Sequence, residues 1–272
     1  MPELPEVETI VRWLQREIQG FVLSKIEIRS EAILNSPKQE IESKTAGTRI
    51  QRVFRKGKYL GMDLSAFNTL WVHLGMTGQL VWLHPSKALD SHVHALIEFE
   101  GKSERLVYRD IRKFGSIFLT KGRSSGIPRG LSQLGPEPLE LESREFVRIF
   151  KERTGRIKSL LLNQQLLAGL GNIYADESLH RAGIDPRRRS FRIPQSRLEA
   201  LLGSVREVLE EAIASGGSTI DDYLHPDGTQ GTFQKRHRVY GRENQPCPVC
   251  QTKIRRLVIA GRSSHFCPSC QK

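Results

Sequence analysis

The sequence contains few cysteines and no long apolar run. Only four of its 272 residues are cysteine, and all four lie between residues 247 and 270. No stretch approaches the roughly 18 uncharged apolar residues of a membrane-spanning helix. The first residues also lack the basic-then-apolar order of a signal peptide. We therefore expect a cytoplasmic protein rather than a membrane protein or a disulfide-stabilised secreted domain.

Acidic residues are scarce relative to basic ones. Asp and Glu number 30 against 42 Lys and Arg, which gives a formal charge of +12 at pH 7. Such an excess favours a polyanionic partner, with nucleic acid first and an anionic membrane surface second. The apolar content of 38% in 272 residues is enough for one large core or two ordinary ones, which excludes intrinsic disorder.

Residue periodicity changes along the chain and predicts an α+β fold. Apolar residues first recur at helical spacing, and eight short runs rich in β-branched and aromatic residues follow. Helical spacing returns after a stretch rich in Gly, Pro and Ser. We predict an N-terminal β-sandwich with a leading helix at 1–121, a linker at 122–142, a helical domain at 143–237 that ends in a polar loop at about 217–237, and a zinc-binding module at 238–272.

The cysteines form the strongest local motif. Cys247 and Cys250 make one CxxC pair, and Cys267 and Cys270 make a second after sixteen intervening residues. Four thiolates at this spacing suit one structural zinc ion with no open coordination position, and rubredoxin-like iron is the alternative. The basic stretch between the pairs predicts a β-hairpin with its turn at Gly261-Arg262. That hairpin is either a simple folding element or a phosphate-binding one.

The opening segment MPELPEVE raises a question of chemistry. If Met1 is removed, Pro2 becomes a terminal secondary amine with Glu3 beside it. A terminal amine has a pKa near 7.7–8.0, against about 10.4 for lysine, so at pH 7 it is partly neutral and nucleophilic. Its attack on an aldehyde-level carbon gives a cationic iminium. From this chemistry alone, the alternative that the segment only leads into a helix keeps a slight advantage.

A Gly-Leu-Gly sequence at 169–171 joins two predicted helices. Asn172 follows it as a suitable N-cap, and Lys158 lies on the first helix. From periodicity this is an ordinary helical hairpin. Alternatively, the glycines let a phosphate approach the backbone N–H groups at the start of the second helix.

Two further segments place apolar and basic residues beside glycine. Met76 lies in LGMTG, and Arg112 and Phe114 lie in RKFG. Apolar residues near strand ends usually belong to the core. On a DNA-binding surface, the same residues would fill the gap left by an extruded base.

Together these motifs resemble the bacterial formamidopyrimidine-DNA glycosylase family, repair enzymes that remove 8-oxoguanine and ring-opened purines. The resemblance covers essentially the whole chain and rests on MPELPEVET, GKYL, HLGMTG, RDIRKFG, LGPEPL, AGLGNIYADESL, VYGR and GRSSHFCPSCQK. It implies a bifunctional glycosylase and AP lyase with an N-terminal β-sandwich, a helix–two-turns–helix (H2TH) domain and a four-cysteine zinc finger. Its implied partner is damaged double-stranded DNA, bound by a monomer without a small-molecule cofactor.

The resemblance also implies a role for each matching residue. Pro2 corresponds to the Schiff-base nucleophile, Glu3 to the proton donor that helps to open the sugar, and Lys58 to the residue that assists base loss and β-elimination. The loop at about 217–237 corresponds to the segment that closes over the flipped base. The remaining matches are Arg262 for phosphate binding and δ-elimination, Met76, Arg112 and Phe114 for the wedge, Lys158 and Asn172 for phosphate contacts, and, more loosely, His92 and Arg153 for other DNA contacts.

Two other functions remain compatible with these motifs. An endonuclease VIII-like enzyme would apply the same chemistry to oxidised pyrimidines, but Leu4 and the LGPEPL segment favour the purine branch. A non-catalytic damaged-DNA-binding protein would use the helical hairpin and the zinc module without forming a covalent complex with DNA.

Overall fold

A computed structural model describes residues 2–121, 127–220 and 223–272. The chain forms two compact units, of which the first comprises Met1–Ser132 and Ser215–Thr232 and the second Gln133–Ala214 and Phe233–Lys272. Most of the loop predicted at 217–237 thus belongs to the first unit. Met1, the start of the predicted linker (122–126) and two loop residues (221–222) lie outside the described residues.

The first unit is built on an antiparallel sheet of eight strands in the order β5-β7-β6-β1-β2-β3-β4-β8. Only two residue pairs join β1 to β2, Val22 with Arg49 and Leu23 with Thr48, so the sheet divides into two halves of four strands at this point. The strands are β1 Val22–Ile28, β2 Thr48–Lys56, β3 Tyr59–Leu64, β4 Asn68–His73, β5 Gly78–Leu83, β6 Val93–Phe99, β7 Arg105–Asp110 and β8 Ser116–Lys121.

One hydrophobic core joins both halves of the sheet to the leading helix. Helix α1, Leu4–Ile18, has Pro5 in its first turn, where proline needs no amide hydrogen, and buries one apolar face. Two shorter helices, α2 Lys38–Thr45 and α3 Arg129–Ser132, complete this unit. The core includes Val7 and Leu14 of α1, Leu60 and Leu70 of one half-sheet, and Leu80 and Ile97 of the other. This is the predicted β-sandwich with its leading helix.

The α-helices of the second unit are α4 Ser143–Lys151, α5 Ile157–Leu161, α6 Asn172–Arg181 and α7 Gln195–Ala214. Helix α5 is only five residues long and ends at Leu161. Beyond α5, the side chain of Gln164 binds the backbone: Oε1 accepts the Gly169 N–H at 2.9 Å, and Nε2 donates to the Leu170 carbonyl at 2.7 Å. These bonds form the two-turn connection to α6.

The segment at 238–272 that contains the four cysteines is called the cysteine module. It contains a hairpin of β9, Arg255–Ile259, and β10, Arg262–Phe266. Its turn consists of Ala260 and Gly261, whose φ angles of 49° and 72° are typical of a two-residue type I′ turn. The predicted turn at Gly261-Arg262 is thus wrong by one residue, because Arg262 pairs with Ile259 as the first residue of β10. None of the helices in the described part of the chain is long and apolar enough to cross a membrane.

Candidate functional site

The first functional segment lies at the start of α1. Pro2 is buried, and Glu3 is only 2% exposed. Glu3 is the N-cap of the helix: its N–H donates to Glu6 Oε2 at 2.7 Å, and its carbonyl accepts the Val7 N–H at 3.1 Å. The positive end of the helix dipole is therefore next to Pro2, where it disfavours protonation of an amine.

Glu6 is a site residue that sequence reasoning missed. Its second carboxylate oxygen, Oε1, accepts the Ser218 N–H at 2.8 Å, and its carbonyl accepts the Tyr223 hydroxyl at 3.2 Å. A Cβ on Gly217 would lie 2.7 Å from Oε1, so only glycine allows this approach. Glu6 therefore ties α1 to the described part of the loop. The sequence feature that could have indicated this role is the Pro-Glu pair repeated after three residues in MPELPE. It places Glu3 and Glu6 at the spacing of a capping box.

Lys58 lies in the turn between β2 and β3 and is only 7% exposed. Arg55 holds this turn against α1: Nη1 donates to the Gly57 carbonyl at 3.1 Å, and Nε donates to Glu8 Oε2 at 2.9 Å. Burial raises the pKa of Glu8, but hydrogen bonds from Arg12 and Arg55 outweigh it and lower the pKa overall. Glu8 therefore remains an anion, and its ion pair with Arg55 connects the Lys58 turn to α1, the helix that follows Pro2.

His73 is a second residue that the sequence analysis did not assign, although it begins the HLGMTG motif. It pairs with Tyr59 across β3 and β4, and the two ring centroids are 4.6 Å apart. Burial, reinforced by the positive charge of Lys58, lowers the pKa of His73 to about 4. At neutral pH, the His73 imidazole is therefore uncharged, and it lies within the electrostatic influence of the Lys58 ammonium.

This pKa predicts a loss of stability in mild acid. The ordinary value is 6.5 and the folded value about 4, so the unfolded chain binds a proton first as the pH falls. The contribution of His73 to the free energy of unfolding is complete above pH 6.5. It is lost as the pH falls towards 4, and the loss is about 3 kcal/mol at most. We expect His73→Gln, which cannot titrate, to flatten the free energy of unfolding measured by urea titration across this range.

The matched control is the exposed His84, replaced in the same way. His84→Gln gives the effect of replacing an exposed histidine on the same measurement. Parallel curves for His73→Gln and the wild type would contradict the predicted role of His73.

Met76, Arg112 and Phe114 lie on adjoining turns, one between β4 and β5 and the other between β7 and β8. Met76 is 41% exposed and Phe114 is 56% exposed. A Cβ on Gly75 would lie 2.5 Å from the Gly115 nitrogen and the Phe114 carbonyl carbon, so the two turns meet backbone to backbone. The Arg112 guanidinium stacks 4.5 Å from the centre of the Phe114 ring. The fold thus groups the three predicted wedge residues.

Asp110, also missed from sequence, organises both turns from a fully buried position. Its Oδ1 accepts the Thr77 hydroxyl at 2.6 Å and the Arg112 N–H at 3.2 Å, and its Oδ2 accepts the Gly115 N–H at 2.8 Å. The half-buried His92 lies beside this group, because its carbonyl accepts the Asp110 N–H at 3.0 Å. His92 is therefore placed near the wedge turns.

Lys158 occupies a different position from the one expected. Its side chain is fully buried, with Nζ 2.6 Å from Asp176 Oδ1 and donating to the Ser263 carbonyl at 2.8 Å. Asp176 Oδ2 also accepts the His265 N–H at 2.9 Å. A direct phosphate contact needs an ammonium at the surface, and that condition is not met here. Lys158 instead connects α5 and α6 to strand β10 of the cysteine module.

The other predicted contacts of the second unit lie at helix ends. Asn172 is the first residue of α6 rather than its N-cap, a position that Gly171 takes. Its Oδ1 is buried and has no hydrogen-bond partner within the described residues. Arg153 follows α4 and turns its guanidinium back onto the Ile149 carbonyl. Asn172 Oδ1 thus lacks a partner within the described part of the chain, whereas the Arg153 guanidinium has one.

The four cysteines meet as a metal site. Their sulfur atoms all lie within 4.8 Å of one another, with 3.9 Å between Cys247 and Cys270 and 3.4 Å between Cys250 and Cys267. A tetrahedral zinc ion with bonds of about 2.3 Å requires sulfur separations of about 3.8 Å, so the group fits zinc. Arg262 is exposed at the tip of the adjacent hairpin, where it is accessible to an anion.

Three family models match consecutive parts of the chain. The formamidopyrimidine-DNA glycosylase N-terminal domain matches residues 1–117, and the formamidopyrimidine-DNA glycosylase H2TH domain matches residues 134–223. The zinc finger found in FPG and IleRS matches residues 244–272. The predicted fold class and the predicted zinc site are thereby confirmed.

Individual proteins agree with these domain matches. The chain is 44% identical to a formamidopyrimidine-DNA glycosylase of Solibacter usitatus over 100% of both chains. It superimposes on a MutM in complex with carbocyclic 8-oxo-G containing DNA with a TM-score of 0.91 and 34% identity, covering 100% of both chains. A Lactococcus lactis FPG mutant bound to Fapy-dG containing DNA gives a TM-score of 0.92, 34% identity and the same coverage. This chain belongs to the formamidopyrimidine-DNA glycosylase family.

Proposed function

We propose that this protein is a bifunctional DNA glycosylase and AP lyase of base excision repair that removes oxidised purines. Family membership supports the reaction class. The observation that carries the residue assignment is the buried Pro2-Glu3 pair at the positive end of α1, with Lys58 on a turn tied to the same helix. After removal of Met1, the Pro2 nitrogen is a secondary amine, and the positive end of the α1 dipole favours its neutral form.

The proposed reaction begins when the Pro2 nitrogen attacks C1′ of the damaged nucleotide. The glycosidic bond breaks, the base leaves with the bonding electrons, and Glu3 protonates the ring oxygen so that the sugar opens to an iminium. Lys58 assists base loss and the removal of a proton from C2′, which the iminium makes acidic. β-Elimination then breaks the bond to the 3′ phosphate, and δ-elimination breaks the bond to the 5′ phosphate, so that a one-nucleotide gap remains.

Base removal on this scheme requires the nucleotide to leave the duplex. The exposed side chains of Met76, Arg112 and Phe114 are suited to fill the gap, because two are apolar and the third is a cation that binds phosphate or stacks on a base. Asp110 holds both turns in place, because its carboxylate accepts the Thr77 hydroxyl of one turn and the Arg112 and Gly115 N–H groups of the other. We assign these residues to the wedge and place His92 at its side.

The phosphate contacts are assigned to Asn172 and Arg262. Asn172 stands at the start of α6, where the helix dipole favours an anion, and its side-chain Nδ2–H is the donor that a phosphate oxygen accepts. Arg262 is exposed on the zinc hairpin and is assigned the δ-elimination role. Zinc, held by the four cysteines, would stabilise the fold of the module that carries this hairpin, and it is assigned no role in the reaction. The net charge of +12 suits a duplex partner.

Oxidised purines are favoured as substrates because two of the matched structures hold 8-oxo-G and Fapy-dG containing DNA. We propose that the protein acts as a monomer in the cytoplasm, where bacterial DNA lies, and that the loop tied to Glu6 covers the flipped base. Oxidised pyrimidines, the substrates of an endonuclease VIII-like enzyme, and non-catalytic binding of damaged DNA are the alternatives.

Borohydride trapping tests the proposal directly. Protein whose loss of Met1 has been verified by mass spectrometry is incubated with duplexes that contain either 8-oxoguanine or thymine glycol, with and without borohydride. We expect a covalent adduct and strand cleavage that are faster with 8-oxoguanine. Faster reaction with thymine glycol would establish the pyrimidine alternative, and binding without any adduct would establish the non-catalytic one.

A further inference from the structure

His180, on helix α6, contacts a cysteine of the zinc site. Its Nε2 lies 3.5 Å from Cys247 Sγ, within the range of a hydrogen bond to sulfur. Cys247 is fully buried and His180 is 4% exposed, so water does not compete for this contact. His180 is not one of the four metal-binding residues, and it lies 67 positions from Cys247 in the sequence.

The surroundings of the ring decide which nitrogen carries the proton. His180 Nδ1 is buried and has no hydrogen-bond partner among the described residues. A proton on Nδ1 would leave a buried donor unsatisfied and would point the Nε2 lone pair at the sulfur. A proton on Nε2 leaves only an acceptor unpaired and directs an N–H at Cys247 Sγ. The second tautomer is therefore the one that the structure favours.

Two carboxylates on the turn before His180 bind helix α6 to the cysteine module and so fix the position of His180. Glu177 accepts backbone N–H groups from Arg238, Val239 and Tyr240 at 2.9, 3.0 and 2.8 Å. Asp176 accepts the His265 N–H at 2.9 Å. Since residues three and four positions apart share one helix face, these two carboxylates and His180 form a single contact surface towards the cysteine module.

We propose that His180 supports the zinc site by donating an Nε2–H hydrogen bond to the Cys247 thiolate. Four thiolates around a divalent cation carry a net charge of −2, and a hydrogen bond spreads part of that charge away from the sulfur. The bonded thiolate is a poorer target for protonation, oxidation and ligand exchange. Zinc retention then depends on a helix of the H2TH domain as well as on the zinc finger itself.

The test compares two replacements of His180 in the zinc-loaded, full-length protein. His180→Phe keeps a ring but removes the donor, whereas His180→Gln keeps an N–H donor at a similar distance from the backbone. Zinc release to a chromogenic chelator is measured for both. We expect His180→Phe to release zinc about 10- to 100-fold faster than the wild type, as for other hydrogen-bonding partners of metal ligands, and His180→Gln to recover much of the difference.

The cobalt-substituted protein provides a readout that looser packing alone would not change. Removal of the hydrogen bond raises the energy of the sulfur electrons, so we expect the thiolate-to-cobalt charge-transfer band of His180→Phe to move to longer wavelength. A wild-type release rate together with an unmoved band would overturn the proposal. If His180→Phe does not fold, His180→Ala takes its place as the variant without a donor. Zinc release and a charge-transfer band for His180→Gln that match those of His180→Ala would then overturn the proposal.

Discussion

A protein that keeps a residue in front of Pro2 is expected to form no borohydride-trapped adduct with damaged DNA. An acylated proline nitrogen is an amide, whose lone pair is delocalised into the carbonyl, so it cannot attack C1′. Loss of a covalent nucleophile reduces turnover by on the order of 10³-fold or more. We expect cleavage and trapping to fall together by at least this factor, while binding to undamaged duplex stays within a few-fold of the processed protein.

The matched comparison uses one preparation with a removable N-terminal tag. Half of the sample is cleaved to expose Pro2, and the other half is left intact, so that both carry the same folded domains. Gel assays of trapping and strand cleavage are run on the two halves. An adduct of equal yield with the uncleaved protein would overturn the assignment of Pro2 and would direct attention to the Lys58 amine.

The second large effect is expected from the buried ion pair of Lys158 and Asp176. Removing one partner of such a pair leaves an uncompensated charge in the interior, which usually costs about 3–5 kcal/mol. Lys158→Met is therefore expected to lower the free energy of unfolding of the second unit by this amount. Adding Asp176→Asn to it is expected to restore part of the loss, because the isolated charge is then gone.

Arg262→Ala is the control, because Arg262 is exposed whereas Lys158 is fully buried. It is expected to leave unfolding by urea unchanged and to reduce the slope of log Kd against log salt by about 0.9, the value of one phosphate contact. A stable Lys158→Met protein with the same reduced salt slope would contradict this account, since Lys158 would then act on phosphate after all.

Residues that act through local chemistry were predictable from sequence alone. The two CxxC pairs define a tetrahedral site because their spacing is a property of the chain itself, and the eight β-rich runs match the eight strands. The reactivity proposed for Pro2 likewise depends on its place at the N-terminus. The strand and Pro2 inferences need only neighbours within a few positions, and the zinc inference adds the spacing of the two pairs along the chain.

Contacts between distant segments were not predictable in the same way. Asp110 and Glu6 look like ordinary charged residues, but they hold a wedge turn and the loop by accepting backbone N–H groups that any residue carries. No side-chain pattern marks such a donor. The contact of His180 with Cys247 joins side chains 67 positions apart, a separation that no local pattern spans.

Lys158 is the clearest example of a residue whose contacts cannot be predicted from the sequence. The order of residues alone establishes that a lysine stands shortly before a Gly-Leu-Gly turn and a helix start, which is compatible with a phosphate site. Its burial against Asp176 and the Ser263 carbonyl, the latter 105 positions away, follows only from the folded arrangement of the chain. The direction of a long charged side chain depends on which distant charge the fold brings near it, because the cost of removing the ammonium from water is offset only when that partner is in place.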